Sequence, residues 1–151
     1  MVAEFIIPGE PQGKGRPRFT KNGHTYTPDA TREYEQRVKW AFRTQCRAVV
    51  FDEKTPLMLS VHAYMERPKS ASRITRQLMG AGKLRPLKKP DWDNIGKIVA
   101  DALNGIAYHD DAQIVDANVH KYYCADGEEP RCYVCIMEAY NVKEDEESDN
   151  S

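Results

Sequence analysis

The spacing of apolar positions changes along the chain and divides it into elements. Residues 4–7 form a short β-rich segment that Pro8 and Gly9 break. From Asp29, read as an N-cap, Tyr34, Val38, Ala41, Phe42 and Val49 keep helical spacing through DATREYEQRVKWAFRTQCRAVV, with Arg and Glu on the other faces. In PLMLSVHAYM, residues 56–65, Leu57, Leu59, Val61 and Ala63 alternate with Met58, Ser60 and His62, which suits a strand with one buried face. A second helix is expected to begin near Trp92 or Asp93, because Pro90 is disfavoured in a helix interior and biases Lys89 towards extended geometry. Ile95, Ile98, Val99, Ala102, Leu103 and Ile106 then make a single apolar stripe, and Gly105 can end the helix. Two more strands follow, residues 113–123 and 131–140, joined by the turn-rich ADGEEP. The order β-α-β-α-β-β, without an internal repeat, predicts one α/β (α+β) domain of two layers, with a mixed sheet and two main helices.

Composition adds limits. A chain of 151 residues that is 40% hydrophobic and 30% charged suits one soluble core, and no apolar run approaches the ~18 residues of a membrane span. The start MVAEFIIPGEPQGKG lacks the pattern of a signal peptide, so the expected compartment is the cytoplasm and disulfides are not expected. The formal net charge of −1 hides an uneven distribution. KEDEESDNS, residues 143–151, carries Glu144, Asp145, Glu146, Glu147 and Asp149 and reads as an acidic, disordered tail behind a folded body at 1–142. Residues 67–89 hold Arg67, Lys69, Arg73, Arg76, Lys83, Arg85, Lys88 and Lys89 with no Asp or Glu, and read as a long basic loop in which SRITRQLMG can form a short helix. PQGKGRPRF supplies a second basic loop with Lys14, Arg16 and Arg18.

Two acidic clusters carry the chemistry. Asp91 and Asp93 stand in KKPDWDNIGK, Asp110 and Asp111 in AYHDDAQIVD. Two residues apart on a regular helix, side chains point about 200° apart, so Asp91 and Asp93 can share an ion only if Asp91 stays extended while Asp93 enters the first turn. Asp110 or Asp111, in a loop between helix and strand, can complete a three-carboxylate site. Oxygen donors of this kind suit Mg²⁺ or Mn²⁺ better than Zn²⁺. Each cluster taken alone also reads as helix or turn capping. Lys97, one turn after Asp93, either pairs with Asp93 or Asp101 or steadies a phosphate.

The run D-W-D-N-I-G-K from Asp91 to Lys97, then D-A-L-N from Asp101 and H-D-D-A-Q-I-V-D from His109, resembles the RusA family of Holliday junction resolvases, and PQGKGRPRF resembles the basic opening of its phage-type and Gram-positive members. The resemblance implies a small homodimeric α/β endonuclease that needs Mg²⁺, with Mn²⁺ as substitute, and cuts four-way DNA junctions. It assigns catalysis and metal ligation to Asp91, Asp93 and Asp111, and catalysis or substrate handling to Lys97. Phosphate contacts are expected from Lys14, Arg16, Arg18, Arg73, Arg76, Lys88 and Lys89, and part of a dimer interface from Val134 and Ile136. A broader branched-DNA debranching nuclease and a non-catalytic DNA-binding module are the alternatives. Cys132 and Cys135 are three apart on an expected strand and point to opposite faces, which argues against a zinc site. Trp92 reads as a core anchor or as a stacking partner for an unpaired base, with the core role favoured.

Overall fold

A computed structural model describes residues 1–139. Its main sheet has four strands in the order β1-β6-β4-β5, from β1 (Val2–Pro8), β4 (Leu57–Met65), β5 (Ile114–Tyr123) and β6 (Arg131–Glu138). β6 runs antiparallel to both β1 and β4, whereas β4 and β5 are parallel, so the sheet is mixed as expected. Helices α1 (Asp29–Gln45) and α3 (Trp92–Ala102) form the second layer, α1 against β1 and α3 against β5 and α1. A hairpin of β2 (Arg18–Phe19) and β3 (Thr25–Tyr26) starts at the end of the expected basic opening and extends past it, and α2 (Arg73–Gly80) is the short helix anticipated inside the second basic stretch. Ser72 caps α2 by accepting from the Thr75 amide at 3.2 Å. The acidic stretch 143–151 and Tyr140, the end of the expected last strand, lie outside the described residues.

The alternation in β4 buries Leu57, Leu59, Val61, Ala63 and Met65 under the helices, where Ile95, Ile98 and Val99 of α3 and Val38 and Phe42 of α1 meet them. Each of these side chains larger than that of Ala63 contributes roughly 1.5–3 kcal/mol when fully buried. Four details differ from the sequence reading, the first being that α3 ends at Ala102 with Leu103 at its C-cap, ahead of Gly105 and Ile106. Pro28, rather than Asp29, caps α1, and Asp29 is the first helical residue. The helix stops at Gln45, so Val49 packs on the core from the following segment instead of from the helix. Val134 and Ile136 are fully buried on the helix-facing side of β6, so they belong to the core and not to an exposed interface.

On the opposite sheet face, cross-strand pairing stacks His62 on His120 with ring centroids 4.7 Å apart, and Tyr64 on Tyr122 at 5.2 Å. Arg85 and Arg131 lie over Tyr122 and Tyr64, each 4.1 Å from the ring centroid. Burial, then the neighbouring His120 and Arg85, hold His62 below its ordinary value of 6.5. The folded state therefore resists protonating this ring. Its contribution to stability is complete above pH 6.5 and is lost as the pH falls through the lowered value. His62→Phe should flatten the fall of the thermal midpoint below pH 6.5; parallel midpoint-against-pH curves for the two proteins would contradict this.

Candidate active site

Asp91 is the extended cap of α3, with φ −70° and ψ 151°, and Asp93 sits in the first turn, which is the backbone arrangement expected of the pair. The PQGKG loop is pinned against this helix start. The Lys14 amide donates to the Asn94 carbonyl at 2.9 Å, and a Cβ on Gly13 would lie 3.0 Å from those of Pro90 and Asn94. A Cβ on Gly15 would stand 2.6 Å from Thr31 Oγ1, the atom that accepts from the Gly15 amide. These close approaches explain why the loop needs glycine at both positions.

The second acidic cluster is held by neighbouring amide side chains. Gln113 Oε1 accepts from the amides of His109 and Asp110 at 3.0 and 3.1 Å, while its Nε2 donates to the carbonyls of Asp52 and Thr55 at 2.7 and 3.1 Å. Asn104 Oδ1 accepts from the Asp111 amide at 2.8 Å. The Tyr108 hydroxyl, buried, donates to the Ala100 carbonyl at 2.7 Å and ties the approach to this loop onto α3. Asp111–Gln113 then forms a single 3₁₀ turn leading into β5.

Two cavities lie beside the start of α3. One, of about 320 Å³, is lined by Asp93 and Lys97 of α3 together with Asp111, over an apolar floor from β4 and β5. The other, of about 790 Å³, is lined by Asp91, Lys14, Arg16, Lys88 and Lys89. The structure thus brings Asp93, Lys97 and Asp111 together and places Asp91 on the basic groove next door. Among the described residues no group of three or more His, Cys, Asp or Glu side chains is gathered closely enough to hold a metal by itself. Arg18 is exposed on the hairpin and Arg73 opens α2. Arg76 donates to the Pro68 carbonyl at 3.1 Å and lines a separate cavity with Arg67 and Lys69, so Arg18, Arg73 and Arg76 are not part of the groove.

The family described as endodeoxyribonuclease RusA matches residues 8–137, which include both basic stretches and both acidic clusters. The chain belongs to the RusA family. It is also similar to the uncharacterized protein YqaN of Bacillus subtilis (strain 168), 38% identical over 140 residues that cover 89% of this chain and 95% of that protein. Membership makes this RusA chain an endodeoxyribonuclease, a hydrolase acting on DNA. No helix among the described residues is long and apolar enough to cross a membrane.

In this RusA chain one residue outside the predicted set joins the parts of the site. Asp101 Oδ2 lies 3.4 Å from Lys14 Nζ and 3.5 Å from Lys97 Nζ, and Lys14 also meets Glu35 at 2.5 Å. Burial pulls the Lys14 pKa down, but its pairing with Glu35 and Asp101 outweighs that and leaves it raised. The Asp111 carboxyl is raised by burial and by the neighbouring carboxyls of Asp110 and Asp101. The sequence signal for Asp101 was its position one turn after Lys97, and for Asn104 and Gln113 their places in D-A-L-N and D-D-A-Q. Trp92 is 66% exposed, so it is not a core anchor; as the first residue of α3 it stands at the open end of the helix, beside the cavity that Gly96 and Ala100 also line.

Because Gln113 ties the amides of His109 and Asp110 to the carbonyls of Asp52 and Thr55 and so fixes the loop that carries Asp110 and Asp111, Gln113→Ala should lower kcat more than it raises KM. It should also cost about 1–3 kcal/mol of stability for the polar groups left unpaired. Steady-state cleavage and urea unfolding check this, and an unchanged kcat would show that the loop holds its position without the amide.

Proposed function

We propose that this RusA-family protein is a divalent-cation-dependent endonuclease that resolves four-way DNA junctions by paired hydrolytic cuts, acting as a homodimer in DNA recombination and repair. The observation that carries the reading is the convergence of Asp93 and Lys97, from α3, with Asp111, from the loop before β5, on one cavity beside a groove lined by Arg16, Lys88 and Lys89.

The donor set fits Mg²⁺ or Mn²⁺. Asp93 and Asp111 offer only oxygen atoms, and Mg²⁺ is commonly held by one or two carboxylates, with water and substrate phosphate completing its shell, rather than by an all-protein cage. The crowding that raises Asp111 is the kind a cation relieves. Asp93 and Asp111 would hold the ion, with Asp91 contributing from the neighbouring groove. When bound, the ion supplies Lewis-acid assistance to the attacking water and to the phosphoryl oxygens.

The chain's own residues do the rest. Arg16, Lys88 and Lys89 neutralise phosphates and set the strand in register along the groove. Lys97, 60% exposed at its side chain and tethered to Asp101, stands one turn from Asp93 and offsets charge that develops on the scissile phosphate. Water adds to phosphorus as the bond to the leaving sugar oxygen breaks. Each chain supplies one such cavity and a junction has two equivalent strands to cut, so a two-fold dimer is the simplest way to match the nicks.

Incubating the protein with labelled four-way junction, fork and linear duplex, each with Mg²⁺ or chelator, separates the readings. Junction cutting with Mg²⁺ alone supports resolution. Equal cutting of fork and junction supports a debranching nuclease, and binding without cutting supports a non-catalytic module.

A further inference from the structure

The cavity that Asp93, Lys97 and Asp111 share is mostly apolar. Leu59, Ile114, Ala117 and Val119 line it, and the Trp92 side chain stands at it while remaining 66% exposed. Hydrolysis of a phosphate requires charged groups and water, and it does not call for an apolar recess or a solvent-exposed indole between two candidate catalytic aspartates. Gly96 helps keep the recess deep: a Cβ there would lie 3.3 Å from a Val119 methyl and would add bulk at the wall.

We propose that this recess receives a nucleobase next to the scissile phosphate, stacked on Trp92, and that it contributes to the choice of cutting position. The ligand chemistry follows from the walls. A base is flat and largely apolar on its faces, so it suits aliphatic side chains on one side and an indole on the other, as unstacked bases do in protein pockets. A volume of about 320 Å³ gives it room. The phosphates attached to it would face Lys97 on one side and the groove of Arg16, Lys88 and Lys89 on the other, which is the charge complement a DNA strand needs. An unpaired or weakly stacked base enters most cheaply, and bases at a branch point are of that kind.

This inference rests on the proposed active site, and the test keeps the two apart. In Trp40→Phe protein, which leaves Trp92 as the only tryptophan, adding a synthetic four-way junction in chelator should quench the indole emission. Single-turnover cutting is then followed on the intact junction and on junctions with an abasic site at each position beside the mapped cut. One abasic position should slow the wild type about 5- to 150-fold, the range for losing one stacked base. Trp92→Ala should slow the intact junction by a similar factor and show little further loss on the abasic one, while Trp92→Phe keeps most of the wild-type rate. An unchanged Trp92 emission, or an abasic effect equal in the wild type and Trp92→Ala, would overturn the proposal. Asp93→Asn reports on the underlying site by its cutting, whereas the fluorescence arm needs no cutting and decides the base stacking independently.

Discussion

Asp93→Asn should bind a four-way junction as tightly as the wild type and cut it at least about a hundredfold more slowly, the scale seen when one preorganised charge-stabilising group is removed. The amide keeps the shape of the carboxylate in the first turn of α3 and leaves the groove untouched, so register on the DNA is retained. What it removes is a negative oxygen in the cavity shared with Lys97 and Asp111, where a cation needs charge as well as a lone pair. Asp111→Asn should behave the same way, and Asp91→Asn should lose cutting as well if its carboxylate joins from the groove. Gel-shift affinity and single-turnover cleavage on one labelled junction make the comparison. Wild-type rates from these variants would remove the assigned site.

Neutralising Arg16, Lys88 and Lys89 together should flatten the salt dependence of junction binding by roughly 0.9 in the log–log slope for each phosphate that is no longer neutralised. The fall in affinity should accordingly be greatest at low salt. Lys14 provides the contrast within the same cavity. Its ammonium is engaged by Glu35 at 2.5 Å and Asp101 at 3.4 Å, so Lys14→Ala should change the slope less than Lys88→Ala and should instead disturb the position of Lys97 through Asp101. Fluorescence anisotropy at a series of KCl concentrations measures each slope. Equal slopes for the wild type and the triple variant would show that the groove does not follow the backbone.

Much of this arrangement was legible in the chain. The period-two run in β4 and the stripe from Ile95 to Leu103 marked out the two layers, because burial on one face leaves a mark every second or every third and fourth residue. Pro90 placed Asp91 outside the helix and Asp93 inside it. Less visible were features that depend on where the chain folds back. Arg16 and Lys88 are far apart in sequence and share a groove only because the PQGKG loop packs on the start of α3. Arg76 belongs to the same basic stretch as Lys88, yet its hydrogen bond to Pro68 turns it into a different cavity. Trp92 could not be placed from its apolarity, since it shares the phase of Ile95 and Val99 yet stands at the first position of α3, where the core no longer covers it, and Asp101 was hidden by the ordinary look of an i,i+4 pair with Lys97. At the end of α1, helical spacing carried the reading to Val49, but local periodicity does not reveal that the chain leaves the helix after Gln45.

The most direct test is a single-turnover chase. Protein and a four-way junction labelled on opposing strands are assembled in chelator, and excess Mg²⁺ is then added. The account predicts no cutting before Mg²⁺, followed by nicks at symmetry-related positions in both opposing strands that leave ligatable duplexes, with neither event in Asp93→Asn. Cutting in chelator, or a junction that stays bound and intact after Mg²⁺, would contradict it.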